Sequence, residues 1–337
     1  MSAAGTNAAP RELGYLEAIH EAQLLEMQRD PRVVLVAEDI GLMQKEGPYA
    51  ALGPNRLWSA PISENGFVGM AVGAAMTGLR PIVDLMISSL VYVAMDALVS
   101  QAAKSAGLFG WQTRVPLVVR AAMWYGQSYA AHHSDRPYPM FANVPGLKIA
   151  LPATPADAKG LLLAAIRDDD PVLVFEDRNL WGARGPVPEG DAPVPLGRAA
   201  IRREGGDVTI VALAGCVPLA LEAADALAAE GIAAEVLDPR TLVPFDRDAL
   251  VRSVAKTGRL VVADPAHRTG SAAAEIAAIA AEEAFAHLRA PVRRVCTPDV
   301  QVPFSPPLEA QLYPTAERIA GAAREVVGAP APGAQRR

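Results

Sequence analysis

The sequence predicts two α/β domains, each a doubly wound, mainly parallel sheet covered by helices on both faces. Three observations carry this expectation. Short β-branched runs alternate with Ala-rich or amphipathic segments along nearly all of the 337 residues, the order that builds parallel sheets through helical crossovers. The strand runs are almost unbroken apolar stretches, as expected of strands buried on both faces. A stretch dense in Pro and Gly, residues 182–197, separates two such alternating halves.

The first domain, residues 14–181, begins with a helix over Tyr15–Arg29. Asp30-Pro31 turns that helix into the strand Val33–Ala37, which ends in Glu38-Asp39-Ile40-Gly41. A helix of small residues, Phe67–Thr77, precedes the strand Pro81–Met86. A helix over about Tyr92–Phe109 precedes the strand Val115–Val119. After the strand Leu147–Leu151, Thr154 is a good N-cap, Pro155 suits the first helical position and Asp157 lies in the first turn. The strand Val172–Phe175 closes the half. Residues 182–197 read as an inter-domain linker that sustains neither helix nor strand. In the second domain, residues 198–327, the strands Val208–Leu213, Ala234–Leu237, Arg259–Ala263 and Val292–Val295 alternate with helices. Those helices are Pro218–Glu230, Asp246–Lys256, Ala272–His287 and Thr315–Val327. The Pro-, Ala- and Gly-rich tail, 328–337, reads as disordered.

Composition narrows the function classes. Acidic and basic residues are interspersed at a net charge of -6, without the basic face of a nucleic-acid binder. No apolar run reaches the ~18 residues that span a bilayer, and no signal-peptide pattern opens the chain. A cytoplasmic protein without a membrane partner is expected. The two cysteines, Cys216 and Cys296, stand far apart in apolar settings and suggest inert buried thiols rather than a zinc site or disulfide.

Five local features stand out. Gly66, Gly69 and Gly73 fall on one helical face, a spacing for close packing that does not match a dinucleotide fingerprint. Glu64 heads this nearly apolar segment, where it reads as a helix cap or as an acid with a special task. Arg167-Asp168-Asp169-Asp170-Pro171 places three acids at a helix C-terminus, against its dipole, as a solvated turn or a cation site. His132-His133-Ser134 forms a polar loop. Gly126-Gln127-Ser128-Tyr129-Ala130 only superficially suggests a serine hydrolase, because Ala130 breaks the pattern and no donor loop is evident.

The run Pro61-Ile62-Ser63-Glu64-Asn65-Gly66-Phe67-Val68-Gly69, with Gly78-Leu79-Arg80-Pro81 and Gln101-Ala102-Ala103-Lys104, resembles the beta subunits of thiamine-diphosphate-dependent 2-oxo acid dehydrogenases. Pro145-Gly146-Leu147-Lys148 and Asp238-Pro239-Arg240-Thr241-Leu242 extend the likeness, which covers roughly residues 14–327. That transketolase-like family includes the pyruvate, branched-chain 2-oxo acid and acetoin enzymes. The resemblance implies a pyrimidine-binding domain followed by a transketolase C-terminal-like domain. It makes Glu64 the carboxylate that hydrogen-bonds the aminopyrimidine, so that the cofactor's own amine becomes the base for its thiazolium carbon. Ile62 and Leu90 join Glu64 at the cofactor. His133 becomes the histidine that handles protons as the acyl group passes to a lipoyl arm. Leu117, Ala165, Ile166, Asp168 and Asp170 become the positions of a structural potassium site.

The resemblance also implies partners. A Gly-Asp-Gly followed some thirty residues on by Asn, which holds magnesium and the diphosphate in thiamine enzymes, does not occur in the sequence. Magnesium then belongs to a separate alpha subunit in an α2β2 heterotetramer, and the acyl acceptor is a lipoylated acyltransferase. Pyruvate or a branched-chain 2-oxo acid is the expected substrate. Acetoin is the alternative, because Val262–His267 and Val302–Pro306 lean towards acetoin-type subunits; a non-catalytic scaffold of the same fold is another. Three departures cluster at the expected site. Leu90 replaces an aromatic, Ala121–Ser128 replaces a Gly-rich loop, and Asn143 replaces a second histidine.

Overall fold

In a computed structural model, which describes residues 11–38, 40 and 49–329, the apolar runs pair into two main sheets. Asp39, Gly41 and the tail from residue 330 lie outside the described residues. The first half comprises β1 (Arg11–Gly14), α1 (Tyr15–Arg29), β2 (Val33–Ala37), β3 (Leu57–Ser59), α2 (Glu64–Met76), β4 (Arg80–Ile87), α3 (Ser105–Leu108), β5 (Val118–Met123), α4 (Ala130–His133), α5 (Tyr138–Ala142), β6 (Lys148–Ala150), α6 (Pro155–Arg167), β7 (Val172–Asp177) and β8 (Arg184–Val187). The second comprises β9 (Ala200–Arg203), β10 (Val208–Ala212), α7 (Cys216–Ala229), β11 (Ala234–Asp238), β12 (Thr241–Val243), α8 (Arg247–Thr257), β13 (Leu260–His267), α9 (Ala272–Glu283), β14 (Arg293–Thr297), α10 (Pro306–Glu309) and α11 (Ala316–Gly328). Among the described residues no helix is long and apolar enough to cross a membrane.

The first sheet has the order β12-β6-β7-β5-β4-β2-β3, parallel except for β12. From β2 the chain steps out to β3 on one side and returns to β4 on the other. Strand order therefore reverses between β2 and β4, where loops at the carboxyl ends part and leave a crevice. The second sheet, β14-β13-β10-β11-β9, is parallel except for the edge strand β9. Successive strand residues face opposite layers. Val83, Leu85, Val119 and Phe175 meet Phe67 and Val72 of α2, while Ile82, Val118 and Val174 meet Tyr15 and Ile19 of α1 and Leu161 of α6. Each such buried large side chain contributes about 1.5–3 kcal/mol.

Helix starts follow local chemistry. Thr154 Oγ1 accepts from the Asp157 N–H at 3.1 Å, as the sequence predicts. Asp246 caps α8 through the Ala249 N–H at 3.0 Å, and Thr315 caps α11 through that of Arg318 at 3.2 Å.

Four expectations are corrected. The helix predicted over 92–109 is broken into a 3-10 turn (Ser88–Tyr92), a π-helical stretch (Asp96–Ala102) and α3; a π stretch admits extra residues where a helix must bend round a site. The strand predicted over 115–119 starts at Val118 and runs on to Met123, since Pro116 has no N–H to give a ladder. The predicted linker contains β8, whose pairing with β1 is antiparallel; Pro186 is tolerated because a two-stranded ribbon is all edge. The short strand β12 comes from the second half yet closes the first sheet against β6.

Buried carboxylates stitch the two halves together. Asp157 of α6 pairs with Arg202 of β9 and, at 2.9 Å, with Arg240; Arg202 also holds Asp238 at 2.7 Å. Asp177 accepts from the Gly215 N–H at 2.9 Å and from the Tyr125 hydroxyl. Asp264 accepts from the Tyr138 hydroxyl, the Ala266 N–H at 2.9 Å and the Ala273 N–H at 3.0 Å. Burial raises the pKa of both Asp177 and Asp264, and these hydrogen bonds pull against that rise.

Two outcomes are expected. At Gly146, φ is +102° and an added Cβ would stand 2.0 Å from the Ala103 carbonyl oxygen. Gly146→Ala should therefore cost about 3 kcal/mol, read as a lower urea midpoint at unchanged slope. Burial, opposed by Arg202 and reinforced by Asp157, pushes the Asp238 pKa up to about 6. The folded chain holds this proton more tightly than the unfolded chain, whose Asp titrates at about 3.9. Its contribution is complete below the unfolded value and is lost as pH rises through the folded one. Asp238→Asn should flatten the fall in urea midpoint between those two pH values; an unchanged slope would refute the assignment.

Candidate active site

Glu64, Leu90 and His133 all follow the carboxyl ends of parallel strands, β3, β4 and β5 respectively, so they share the crevice edge of the first sheet. Glu64 is the first residue of α2 and is 5 % exposed. Among the described residues its carboxylate has no hydrogen-bond or ion-pair partner. A buried carboxylate left without a donor is costly, and the N-terminal field of α2 favours its charge. Leu90 sits half-buried in the 3-10 turn after β4. Ser88 of that turn donates its hydroxyl to the Asp135 carbonyl at 2.7 Å, tying it to the segment after His133. Ile62 is 83 % exposed on the approach to α2.

His133 ends α4 and is half-buried, with a buried Nδ1 that has no hydrogen-bond partner. His132 is exposed and stacks edge-on against it at 4.7 Å. The loop from β5 to α4 carries Trp124 and Tyr125 and passes through three left-handed residues, Gly126, Ser128 and Ala130. Trp124 and Tyr129 pack against the Arg178 guanidinium, at 4.4 and 5.7 Å from their ring centres. Among the described residues no hydrogen bond involves the Ser128 hydroxyl, and the hydrolase reading gains no base for that nucleophile.

The glycine face of α2 departs from the packing expectation. A Cβ at Gly69 or Gly73 would meet nothing within 4 Å, and Met70 beside them is 47 % exposed. Among the described residues nothing packs against Gly69 or Gly73.

At the far end of the sheet, the predicted potassium positions converge on protein cations. The Ile166 and Asp168 carbonyls accept from Arg80 at 2.9 and 2.5 Å. Those of Leu117 and Ala165 accept from the Val172 and Asp168 N–H groups at 2.9 and 3.2 Å. Lys148 sits 2.7 Å from the Asp168 carboxylate and 3.3 Å from that of Asp170. These side chains neutralise the acidic helix end, while each carbonyl keeps a second lone pair. Among the described residues no three His, Cys, Asp or Glu side chains gather to hold a metal.

Sequence reasoning missed a buried ion network beside the crevice. Arg120 of β5 donates to Glu176 of β7 at 2.7 Å and to Asp84 of β4 at 2.8 Å, beneath a cavity of about 280 Å³ that His20 and Trp181 also line. Burial raises the Glu176 pKa against the pull of Arg120. The available signal was a charge interrupting or ending each of three apolar strand runs, Asp84, Arg120 and Glu176, on adjacent strands of the sheet. It also missed Glu309, which reaches the β5–α4 loop from the second half.

Comparison with known proteins matches this geometry to a family. Residues 11–183 match the transketolase pyrimidine-binding domain and residues 197–319 the transketolase C-terminal domain. The chain is 43 % identical to the beta subunit of acetoin:2,6-dichlorophenolindophenol oxidoreductase of Bacillus subtilis, covering 95 % of this chain and 99 % of the relative. Its counterpart in Cupriavidus necator is 45 % identical over 94 % and 98 %. The 2-oxoisovalerate dehydrogenase beta subunit of Bacillus subtilis is 37 % identical, over 93 % and 98 %. Among solved structures, a split-gene transketolase described as an inactive beta4 tetramer superposes with a TM-score of 0.78 at 26 % identity, covering 94 % of this chain and 98 % of that one. The chain therefore belongs to the transketolase-like beta subunits of the thiamine-diphosphate-dependent 2-oxo acid and acetoin dehydrogenase family.

Proposed function

We propose that this chain is the beta subunit of an acetoin-cleaving, thiamine-diphosphate-dependent dehydrogenase that passes an acyl group to a lipoylated acyltransferase. The observation that carries the site is Glu64, a buried carboxylate at the edge of a crevice that has no partner among the described residues. The preference for acetoin over a 2-oxo acid rests on the acetoin-type relatives, at 43 % and 45 % identity, against 37 % for the 2-oxoisovalerate subunit. It takes the alternative that the sequence offered ahead of the 2-oxo acids.

The chain's own residues would divide the work. Glu64 would meet a ring nitrogen of the aminopyrimidine, with one proton shared between carboxylate and ring in a charge-assisted bond. Leu90 would pack against the same ring, with volume but without a stacking face, and Ile62 would close over it. Thiamine diphosphate supplies the electron sink that lets a carbon–carbon bond beside a carbonyl break. In acetoin that bond joins the two oxygen-bearing carbons. His133 would hold and return a proton as the acyl group reaches the lipoyl sulfur; its unpaired Nδ1 leaves the ring free to choose its tautomer. The diphosphate and magnesium would be held by an alpha subunit, in an α2β2 heterotetramer. The uncovered glycine face of α2 and the exposed Ile62 and Met70 support a partner along this edge. We propose that the five carbonyl positions also hold a potassium ion through their free lone pairs.

Assembled with its alpha chain, the protein should turn over acetoin with at least about tenfold higher kcat/KM than pyruvate or 2-oxoisovalerate. A faster 2-oxo acid would reverse the substrate assignment. Glu64→Gln in that complex should lower kcat about 10²- to 10³-fold; undiminished turnover would instead favour a scaffold. Exchange of potassium for choline should lower the Tm by about 2–4 °C. An unchanged Tm would mean that Arg80 and Lys148 neutralise the helix end unaided.

A further inference from the structure

We propose that Glu309 is a positioning residue for His133: from the second domain it fixes the Gly126–Ala130 loop, and through that loop the direction in which α4 leaves the sheet. The proposal rests on the role given to His133 above. Glu309 is 2 % exposed, at the end of α10. One carboxylate oxygen accepts from the Gly126 N–H at 2.8 Å and from the Tyr313 hydroxyl at 2.8 Å. The other accepts from the Ser128 N–H at 2.7 Å. Backbone N–H groups that converge on one carboxylate form charge-assisted bonds, stronger than neutral ones.

The loop needs such a hold. Its φ angles are +76° at Gly126, +60° at Ser128 and +57° at Ala130. Serine and alanine adopt this left-handed region only where the surroundings impose it. The flanks of the loop are fixed by rings. Tyr125 packs on Tyr313 at 4.8 Å, while Trp124 and Tyr129 enclose Arg178. Among the described residues the N–H groups of the turn itself have no acceptor other than Glu309. Five residues separate Ser128 from His133, roughly 7 Å at helical rise. A backbone rotation of about 10° at Ser128 would then swing the imidazole by roughly 1 Å, and a misplacement of that size costs on the order of 10²-fold. The second domain thus sets where the proton-handling group stands, although Glu309 itself touches no reacting atom.

The test uses the complex assembled with its alpha chain and two electron acceptors, a lipoylated acyltransferase and the dye dichlorophenolindophenol. Glu309→Gln keeps the size but halves the acceptors. It should lower the ratio of lipoyl-linked to dye-linked kcat at least about tenfold, with the KM for acetoin within about twofold of the parent. Glu309→Asp, which keeps the charge, should recover part of that ratio. Tyr313→Phe, which removes a donor but leaves the carboxylate, should give a smaller loss of the same kind, and it decides the matter if Glu309→Gln fails to assemble. Equal loss of both rates, together with a lower Tm, would mean a purely structural residue and overturn the proposal. So would an unchanged ratio while His133→Ala loses lipoyl-linked turnover. If His133→Ala loses nothing, the role of His133 falls, and this inference with it.

Discussion

Charge buried at the seam between the two sheets is the constraint on which the rest of this structure depends. Asp177, Asp264 and Glu309 are each at most 2 % exposed, and an ionised carboxylate in such a place is expensive unless several donors meet it. Each takes at least one donor from across the seam. Asp177 of the first half takes an N–H from Gly215, Asp264 of the second takes the Tyr138 hydroxyl, and Glu309 takes the N–H groups of Gly126 and Ser128. Separating the halves would remove at least one of these donors from each of the three. The two domains therefore behave as one frame, and the loop that carries His133 is built jointly by both.

That frame explains why the crevice is so unevenly finished. The wall near Tyr125 and Tyr313 is closed by packed rings, with Arg136 between the two rings at 5.2 and 5.3 Å and its Nε on the Pro265 carbonyl at 2.9 Å. The opposite wall, around Glu64, has, among the described residues, a buried carboxylate without a partner, exposed Ile62 and Met70, and no packing against Gly69 or Gly73. A chain that acted alone would incur the cost of that wall without return. Half of a composite site, completed by another chain, incurs it only until assembly. The Arg120–Glu176–Asp84 network behind the crevice has a complementary effect. It ties β4, β5 and β7 together by hydrogen bonds of 2.7 and 2.8 Å, and so keeps the strand ends that carry Leu90 and His133 in register.

Much of this was legible in the residues. Helices with a capping residue and a long apolar face, such as α1, α6 and α11, declare themselves because the signals lie within one turn of each other. The strands β2 and β10 do so because four or five consecutive apolar residues have no stable exposed alternative. The short strands β3, β8, β9 and β12 were not legible. Each is three or four residues long and exists only because a neighbouring strand offers its free edge. The break of the 92–109 segment was equally hidden, since its composition suits a helix and the π-helical stretch answers to the path the chain must take round α2.

The sequence by itself determined the two-domain α/β architecture, the family, and the identity of Glu64 and His133 as the residues worth following. Those properties reside in local periodicity and in motifs a few residues long. Only the tertiary structure decided which groups are unpaired, which are neutralised and what holds the site loop. Glu64 has no partner among the described residues, the carbonyls near Asp168 already face Arg80, and Ser128 is held by a carboxylate 181 residues away along the chain. The reason is physical. Solvation and hydrogen bonding depend on which atoms share a volume, and for residues that far apart only the closed fold brings them together.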